Sequence, residues 1–390
     1  MRPAQESAAL TESEQDRRFM AEALQLAQRG LYGTDPNPRV GCLLVRQGAV
    51  VGQGWHHRAG EPHAEVEALR MAGAAARGAT AYVTLEPCNH HGRTPPCSEA
   101  LIAAGVARVV AAMEDPNPRV AGGGLAALRR AGIAVECGLL AEAAAALNSG
   151  FIRRMGGGRP LLRLKLAMSL DGRTALHNGV SQGITGPAAR ADVQRLRARS
   201  SAILTGSGTV LADDPALTVR DLAALGEWAE PPLRQPLRVV VDSQLRTPPG
   251  ARLLHEAGET LIFTRQPLDE ARAAQLRDLA NLRIEAVATT GQGVDLNAVL
   301  QRLADLQCNE LLAECGPRLA GNLVQQGLVD ELWIYLAPLL LGSAARPLLQ
   351  LPAIERMADR WPLLIDEIRP LGDDWRIRAR FDHAAHATKE

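Results

Sequence analysis

Short apolar strands alternate with helices along almost the whole chain, and this alternation restricts the fold more than any other feature of the sequence. Residues 64–76, for example, carry Val66, Leu69 and Ala72 on one helical face, and the apolar run 81–85 follows. Two parallel strands need a crossover connection, which a helix usually supplies, so the alternation indicates βαβ units. The sequence therefore predicts an α/β fold with largely parallel sheets.

Two domains are predicted because the chain has 390 residues and a domain usually takes about 100 to 200. The run Gly156-Gly157-Gly158 is the best candidate for a linker, since the alternation restarts after it. The predicted domains are 1–155 and 156–390. Helices are predicted at 14–28, 64–76, 98–104, 125–131, 187–199, 268–280 and 296–307. Strands are predicted at 40–45, 50–54, 81–85, 108–113, 133–137, 161–168, 202–205, 237–241, 260–264, 311–314 and 332–337.

The composition argues against several classes of function. Lys plus Arg equals Asp plus Glu, at 43 each, so no excess of charge points to nucleic acid or to a membrane surface. The chain has no run of about 18 apolar residues, and its first residues lack the apolar centre of a signal peptide. Six cysteines in 390 residues do not indicate a disulfide scaffold. We therefore expect a cytoplasmic protein with reduced thiols, no nucleic-acid partner and no membrane association.

The strongest chemical motif combines His63, Cys88 and Cys97, one imidazole and two thiols. Zinc binds such ligands tetrahedrally, and a catalytic site keeps the fourth position for water, whose pKa zinc lowers towards about 7. Glu65 lies two residues from His63, where its carboxylate would act as general base and then as general acid in a hydrolytic deamination. Nucleobase deaminases have this His-x-Glu pattern but usually only two residues between the cysteines. Here eight residues separate Cys88 from Cys97.

Two glycine-bearing turns in the second half are candidates for binding a diphosphate. One follows the strand 202–205 at Gly206 and Gly208, although Leu211 stands where a dinucleotide fingerprint would have its third glycine. The other, at residues 316–321, also follows a strand and opens a helix. Backbone N–H groups at such turns suit phosphate oxygens.

The motifs together carry a resemblance to a known family. In the first half they are His56, Ala59-Gly60-Glu61, His63-Ala64-Glu65, Glu86-Pro87-Cys88 and the segment 90–97, and in the second half they are the segments 165–173 and 211–220. The chain resembles, from about Glu14 to Leu371, the bifunctional deaminase-reductase of riboflavin biosynthesis, in which a long insert between the cysteines is typical. Asn89 replaces a usual Ser, and Gly183 replaces a Trp that some members carry.

The resemblance implies a cytidine-deaminase-like N-terminal domain and a dihydrofolate-reductase-like C-terminal domain. It implies hydrolytic deamination of 2,5-diamino-6-(5-phosphoribosylamino)pyrimidin-4-one, followed by NADPH-dependent reduction of the ribosyl group of the resulting uracil to ribityl. The implied cofactors are one Zn²⁺ per chain and NADPH. The implied partners are a small phosphorylated pyrimidine and further copies of the chain, as a dimer or larger homo-oligomer.

The family pattern also implies site residues. Deaminase substrate contacts map to Asn37, His56, His90, Arg93, Asp115 and Asn117, of which His56, His90 and Arg93 suit a phosphate or sugar. NADPH contacts map to Ala167, Thr209, Asp213, Ser243, Gly316, Pro317, Arg318, Leu319, Ala320, Gly321 and Asn322. Reductase substrate contacts map to Ser181, Arg197, Leu217, Arg220 and Glu314. Arg197 and Arg220 are interpreted as phosphate clamps, and Lys165 and Asp213 as candidates for ring opening or proton delivery.

Three other interpretations remain open at this point, and in the last of them one half of the chain is degenerate and only the other half works. The chain could deaminate a free base or nucleoside and carry a second domain that is not a reductase. Alternatively, zinc could serve only to fold the first domain. Glu65 separates a catalytic zinc site from the second possibility, a structural one. A structural zinc site is usually closed by four ligands and needs no carboxylate beside it.

Overall fold

The chain forms two units that divide between Gly157 and Gly158 in the computed structural model. The structure describes residues 11–89, 96–118, 120–181, 183–291 and 293–382. The segment 149–160, interpreted as the region of a linker, contains a helix that ends at Gly157. The predicted boundary between 155 and 156 stays a prediction.

A five-stranded mixed sheet organises the first unit. Its helices are α1 (Glu12–Arg29), α2 (Ala64–Ala72), α3 (Cys97–Ala104), α4 (Gly123–Arg130), α5 (Ala141–Leu147) and α6 (Ser149–Gly157), and a 3₁₀ helix spans Gly73–Ala76. Its strands are β1 (Gly41–Arg46), β2 (Ala49–Trp55), β3 (Thr80–Val83), β4 (Arg108–Ala111) and β5 (Ala134–Cys137). The order is β2-β1-β3-β4-β5, in which β1 is antiparallel to both neighbours and β3, β4 and β5 are parallel. The sheet is less parallel than predicted because a two-residue turn joins β1 to β2, and a turn this short can only make a hairpin.

Close packing of α2 against β2 fixes the position of the first turn of α2. His63 and Glu65, two of the predicted deaminase residues, lie at this turn. A Cβ atom on Gly54 would lie 2.4 Å from the carbonyl oxygen of Ala64, so only glycine fits there. Ala64 and Ala68 on this helix are fully buried in one core cluster. The separate cluster on the opposite face of the sheet contains Phe19 and Leu43. The small residues on both elements therefore fix the first turn of α2, which follows His63, against the sheet.

A nine-stranded sheet organises the second unit. Its helices are α7 (Pro187–Arg199), α8 (Ser207–Asp213), α9 (Arg252–His255), α10 (Glu270–Ala274), α11 (Leu296–Asp305) and α12 (Pro317–Gln325), with 3₁₀ helices at Ala223–Trp228 and Met357–Asp359. Its strands are β6 (Leu161–Ser169), β7 (Arg173–Ala175), β8 (Ala202–Gly206), β9 (Leu237–Val241), β10 (Thr260–Arg265), β11 (Leu282–Val287), β12 (Thr289–Thr290), β13 (Gly293–Val294), β14 (Glu310–Ala313), β15 (Glu331–Ala337), β16 (Arg346–Pro347), β17 (Leu363–Leu371) and β18 (Asp374–Phe381).

The order of this sheet is β11-β10-β9-β8-β14-β6-β15-β18-β17. From β11 to β15 all neighbours are parallel, and only the pairs of β18 with β15 and β17 are antiparallel. The parallel part agrees with the sequence prediction, whereas β11, β17 and β18 were not predicted. In parallel α/β sheets, ligands bind beyond the carboxyl ends of the strands, and here the ends of β8, β14 and β9 lie side by side.

One predicted helix is much shorter in the structure. The prediction was 268–280, but α10 covers only Glu270–Ala274. Leu276 and Leu279 still pack on the core, and each of their N–H groups bonds to the carbonyl three residues earlier. The apolar spacing was therefore real, but it belongs to successive turns rather than to a continuous helix. Among the described residues, no helix is long and apolar enough to cross a membrane.

Candidate active sites

His63, Cys88 and Cys97 come together from three separate elements of the first unit. His63 is the residue before α2, Cys88 lies in the loop after β3, and Cys97 is the first residue of α3. The Nδ1 atom of His63 lies 3.2 Å from the Sγ of Cys97 and 3.6 Å from the Sγ of Cys88. One possible ligand atom from each residue lies within 4.8 Å of those of the other two. The structure thus places all three predicted zinc ligands in one cluster.

The donor set fits zinc in a catalytic arrangement. A hydrogen bond from the Cys97 thiol, supported by one from His63, lowers the pKa of Cys88 to about 4, so Cys88 is a thiolate at neutral pH. The same contact with Cys88, together with burial, raises the pKa of Cys97. Thiolate is the form of cysteine that binds metal. Two sulfurs and one imidazole nitrogen supply three ligands of a tetrahedral zinc and leave one position open.

Glu65 is the second residue of α2 and lies in the interior beside this cluster. It is only 3 % exposed, and its Oε2 atom has no hydrogen-bond partner among the described residues. Burial raises the pKa of Glu65 to about 7, although the nearby His63 acts in the opposite direction. A carboxyl group that titrates near neutral pH can both accept and return a proton. Its position and its free oxygen suit the proton-transfer role predicted from the sequence.

His56 and Asn37 lie next to the zinc ligands, but His56 does not provide a positive charge. The His56 ring is 5.3 Å from the ring of His63, and Asn37 Nδ2 lies 3.0 Å from His56 Nε2. The carbonyl of Pro62 can only accept, so His56 Nδ1 carries the proton and Nε2 accepts from Asn37. Burial lowers the pKa of His56 to about 4, so the ring is neutral at pH 7. The predicted contact of His56 with the phosphate or sugar stays a prediction, and in this geometry the ring would contribute hydrogen bonding and no charge.

A loop that holds Asp115 and Asn117 is tied to the zinc site by Glu86, which the sequence analysis did not assign. The Glu86 carboxylate is 3 % exposed and accepts backbone N–H groups from Asp115 at 3.1 Å, Gly122 at 2.9 Å, Gly124 at 2.8 Å and Leu125 at 3.2 Å.

The carboxylate of Asp115 in turn accepts the N–H of Asn117 at 2.8 Å. Because Glu86 stands two residues before Cys88, it fixes the predicted substrate loop to the cysteine loop. The sequence signal was its place directly before Pro87-Cys88. His90 and Arg93 lie outside the described residues.

The two glycine turns of the second unit meet at the carboxyl ends of adjacent strands. Gly206 ends β8, and Gly316 precedes α12 just after β14, which pairs with β8. The N–H of Gly316 donates to Thr209 Oγ1 at 3.1 Å. Neither α8 nor α12 has a side chain capping its first turn. This geometry suits a diphosphate, as predicted from the glycines.

The predicted cofactor segment of α12 has both exposed and buried residues. Gly316, Pro317 and Leu319 are half-buried and Arg318 and Asn322 are exposed. Ala320 is fully buried, and a Cβ on Gly321 would lie 2.0 Å from the carbonyl oxygen of Gln350. Both residues face the core because they lie on the inner side of the helix. Ala320 and Gly321 pack inward, and the prediction that these two residues contact NADPH stays a prediction.

Arg197, Glu314 and Lys165 form a charged cluster beside the same sheet edge. Arg197 donates from Nε and Nη2 to both carboxylate oxygens of Glu314, at 2.6 and 3.0 Å, and from Nη1 to the carbonyl of Thr218 at 3.1 Å. Burial alone would raise the pKa of Glu314, but the Arg197 guanidinium holds it below its usual range. Burial also lowers the pKa of Lys165. Arg197 is paired with Glu314 in this structure, and its interpretation as a phosphate clamp stays a prediction.

Arg220 is the better candidate for a phosphate contact. It is exposed and follows a segment in which Asp214 and Leu217 have φ values of +38° and +50°. Such strained backbone is concentrated at functional sites. The Leu217 side chain is buried, and the predicted substrate contact of this residue stays a prediction.

The other predicted residues of the second unit are distributed along the same edge of the sheet. Ser181 Oγ donates to Asp213 Oδ1 at 3.0 Å, which brings these two residues together. Ala167 is half-buried in β6, and Ser243 follows β9 and lines a cavity.

Comparison with known proteins assigns both units. A family model for the RibD C-terminal domain matches residues 160–375, more than half of the chain. A second model, for the cytidine and deoxycytidylate deaminase zinc-binding region, matches residues 13–113. The riboflavin biosynthesis protein RibD of Escherichia coli (strain K12) is 54 % identical over 364 residues, which cover 92 % of this chain and 98 % of the relative.

The chain belongs to the RibD family. The RibD protein of Haemophilus influenzae is 47 % identical over 94 % of this chain and 97 % of its own length. The structure of Acinetobacter baumannii RibD superimposes with a TM-score of 0.88 at 43 % identity, covering 95 % of this chain and 100 % of that one. A Thermotoga maritima diaminohydroxyphosphoribosylaminopyrimidine deaminase/5-amino-6-(5-phosphoribosylamino)uracil reductase reaches 0.81 at 30 % identity, with the same coverage.

Membership in the RibD family confirms the predicted fold and activity. The chain is a bifunctional deaminase and reductase of riboflavin biosynthesis that acts on a small pyrimidine. It combines a cytidine-deaminase-like zinc-binding domain with a dihydrofolate-reductase-like domain of the type that uses NADPH. A second domain without reductase function, one of the alternatives, is excluded by the RibD match over 160–375. The roles of individual residues remain proposals.

Proposed function

We propose that the first unit deaminates 2,5-diamino-6-(5-phosphoribosylamino)pyrimidin-4-one and that the second reduces the resulting 5-amino-6-(5-phosphoribosylamino)uracil with NADPH. The observation that carries the proposal is the buried Oε2 of Glu65, which has no hydrogen-bond partner among the described residues and lies beside three clustered zinc ligands. The identity of the proposed substrate is taken from the name of the similar Thermotoga maritima protein, which states both reactions. The proposal includes one zinc ion per chain.

In the deaminase reaction, water adds to the ring carbon that carries the amino group, and ammonia leaves. His63, Cys88 and Cys97 would hold the zinc ion, which would act as a Lewis acid and lower the pKa of its bound water. Glu65 accepts the proton that the water loses and delivers it to the departing amine. Asn37 and the loop of Asp115 and Asn117 bind the polar edges of the pyrimidine. The neutral His56 ring holds the Asn37 side chain through Nε2.

In the reductase reaction, the ribose ring opens and C1′ is reduced, which gives a ribityl chain. The two glycine turns would hold the diphosphate of NADPH, which would supply the hydride. Lys165 is a better candidate for proton delivery than Asp213, because Lys165 is half-buried beside Glu314 and its pKa is lowered by burial. Asp213 is exposed and already accepts from Ser181. Arg220 binds the terminal phosphate.

A homo-oligomer that forms through the second unit is also part of the proposal. The outer strand β17 exposes Leu363, Leu364, Ile365 and Ile368 by 42 to 60 %. An edge strand has unpaired backbone N–H and C=O groups that can pair with a strand of another chain, and an exposed apolar patch is often an interaction site. Light scattering after size exclusion tests this point, and Ile368→Glu should shift the mass towards that of the monomer.

The free state of all six cysteines supports a cytoplasmic location.

The decisive experiment is a mass-spectrometric product assay on the purified zinc-loaded protein. The phosphorylated diaminopyrimidinone is supplied with and without NADPH. We expect the uracil product without NADPH and the ribityl product with it. If zinc is bound and the substrate stays unchanged under both conditions, the proposed substrate is wrong, and free bases and nucleosides become the next compounds to test.

A further inference from the structure

Asn148 lies between two helices of the first unit and takes no part in the chemistry described so far. It follows α5 and precedes Ser149, the first residue of α6. It is only 1 % exposed, and a buried amide is costly unless its polar groups are hydrogen-bonded. The partners of this amide therefore show what Asn148 does.

Both polar groups of the Asn148 amide bind the backbone of one residue, Arg39. Oδ1 accepts the N–H of Arg39 at 2.8 Å, and Nδ2 donates to the carbonyl oxygen of the same residue at 2.9 Å. The two residues are 109 positions apart in the sequence. Because a side-chain amide presents an acceptor and a donor side by side, it pairs with Arg39 as a neighbouring strand would.

A third hydrogen bond joins Arg39 to the end of α5. Its Nη1 atom donates to the carbonyl oxygen of Leu147 at 2.8 Å, and Leu147 is the last residue of this helix. The last carbonyl groups of a helix lack partners within the helix and carry partial negative charge, which a guanidinium compensates. Arg39 is itself buried. The loop between α1 and β1 is therefore held at a fixed place on α5.

Arg39 stands between two residues that bind His56. The carbonyl oxygen of Val40 accepts the N–H of His56 at 2.9 Å, and Asn37 Nδ2 donates to His56 Nε2 at 3.0 Å. Asn37 has a proline on each side, and a proline ring fixes its own φ angle. The stiff backbone carries a displacement of Arg39 over to Asn37, so the bonds to Asn148 also set the position of the Asn37 amide.

We propose that Asn148 is a positioning residue for the deaminase reaction, which holds Arg39 and thereby places the Asn37 amide against the pyrimidine. The inference rests on the proposed deaminase function and extends that site to a residue beyond β5, the last strand of the first sheet along the chain. Asn148 binds Arg39 rather than a zinc ligand or Glu65. Its loss should therefore weaken substrate binding, which raises KM, and leave the chemical step, and with it kcat, unchanged.

Steady-state kinetics of Asn148→Ala tests this division. The KM for the phosphorylated diaminopyrimidinone should rise about tenfold, with unchanged kcat, zinc content and reductase activity on supplied uracil substrate. Tyr82→Phe is the matched control, because it removes a buried hydrogen bond to Asp16 between β3 and α1 of the same unit. An equal rise of KM in both variants would show a general loosening of the unit and overturn the inference. Should Asn148→Ala lose zinc, Asn148→Asp replaces it, since it has the same size and lacks only the donor to the Arg39 carbonyl.

A double-mutant cycle tests whether Asn148 acts through Asn37. Asn37→Ala should itself raise KM, because it removes the amide that contacts the pyrimidine. Adding Asn148→Ala to this variant should raise KM no further, since the group that Asn148 positions is already absent. Residues that act independently have effects on KM that multiply. A full further rise of about tenfold in the double variant would overturn the inference.

Amide hydrogen exchange, followed by mass spectrometry, separates failure of this inference from failure of the proposed function, because it needs no substrate. Residues 36 and 38 are prolines without an N–H, so a peptide that spans 36–40 reports on few amides, among them that of Arg39. Exchange of this peptide should be faster in Asn148→Ala than in the wild type and unchanged in Tyr82→Phe. A wild type that leaves the diaminopyrimidinone intact contradicts the proposed substrate, whereas the exchange still shows whether Asn148 holds Arg39. Unchanged exchange in Asn148→Ala overturns the inference, and so does an unchanged KM.

Discussion

Arg197 and Glu314 form a bidentate ion pair, with N–O distances of 2.6 and 3.0 Å, between α7 and the residue that follows β14. Their side chains are about one-tenth exposed, at 10 and 11 %. Removing one partner of a buried pair leaves the other charge without compensation. The pair therefore ties α7 to the sheet directly beside Lys165.

Glu314→Gln should destabilise the second unit because it leaves the Arg197 charge unpaired. We expect the free energy of unfolding to fall by about 3 kcal/mol, measured by chemical denaturation of the full-length protein. Arg356→Gln breaks an exposed pair with Asp359 and serves as the control, with little or no change. If the two variants are equally stable, the buried pair does not stabilise the unit.

This pair also illustrates what the sequence alone could not predict. From the sequence, Arg197 is interpreted as a phosphate clamp and given no partner, whereas its partner Glu314 lies 117 residues away along the chain. The four N–H donors to Glu86 likewise come from residues 29 to 39 positions further along the chain. Contacts of this kind depend on how strands and helices pack, and no local pattern specifies them. The zinc ligands were predictable because zinc chemistry restricts the residue types and their spacing.

The fold was predictable where each element buries an apolar face. The predicted helix 187–199 and strand 237–241 match α7 and β9 residue for residue. Strand β18 was missed although Arg376, Arg378 and Arg380 alternate with apolar residues, which is a strand pattern. At its start the usual polarity is inverted, since Arg376 is buried between Asp192 and Glu367 while Trp375 is 44 % exposed. The strand was missed because an alternating pattern is normally expected to bury its apolar residues, whereas here a buried position is occupied by an arginine.

Glu65→Gln should abolish deamination and retain zinc. Loss of a general acid–base group costs about 10²- to 10⁴-fold in rate, and the amide is similar in size to the carboxyl it replaces. Zinc content is measured by elemental mass spectrometry and the uracil product by chromatography. Cys88→Ser is the contrasting variant, in which both zinc and deamination should be lost while NADPH binding survives. Full deaminase activity in zinc-loaded Glu65→Gln would show that another group transfers the proton.

Gly124→Ala should impair the deaminase by displacing the loop that holds Cys88. A Cβ at position 124 would lie 1.8 Å from the carbonyl oxygen of Pro87, a contact that forces one of the two segments to move. We expect lower zinc content and at least a tenfold loss of deaminase activity, with unchanged reductase activity on supplied uracil substrate. Gly156→Ala is the matched control, because nothing lies within 4 Å of its Cβ position. Equal loss in both variants would mean that the packing against Pro87 is unimportant.

Asp16 should contribute to stability at neutral pH and lose that contribution in acid. Its carboxylate accepts from Arg108 Nη2 at 2.7 Å and from the Tyr82 hydroxyl at 2.5 Å. The hydrogen bond from Arg108, opposed by burial, holds the pKa of Asp16 below its usual range. A lowered folded-state pKa stabilises the fold fully above the unfolded value of about 3.9, and this stabilisation disappears as the pH falls through the folded value.

Asp16→Asn should therefore lower the free energy of unfolding by about 1 to 3 kcal/mol at pH 7. The difference from the wild type should stay constant down to about pH 5 and shrink below about pH 4. Denaturant unfolding at several pH values measures it. Glu22→Gln, which breaks the exposed helical pair with Arg18, is the control and should cost less than about 0.5 kcal/mol at pH 7. A penalty for Asp16→Asn that does not change between pH 7 and the acid range would show that packing, rather than the charge on Asp16, stabilises this part of the first unit.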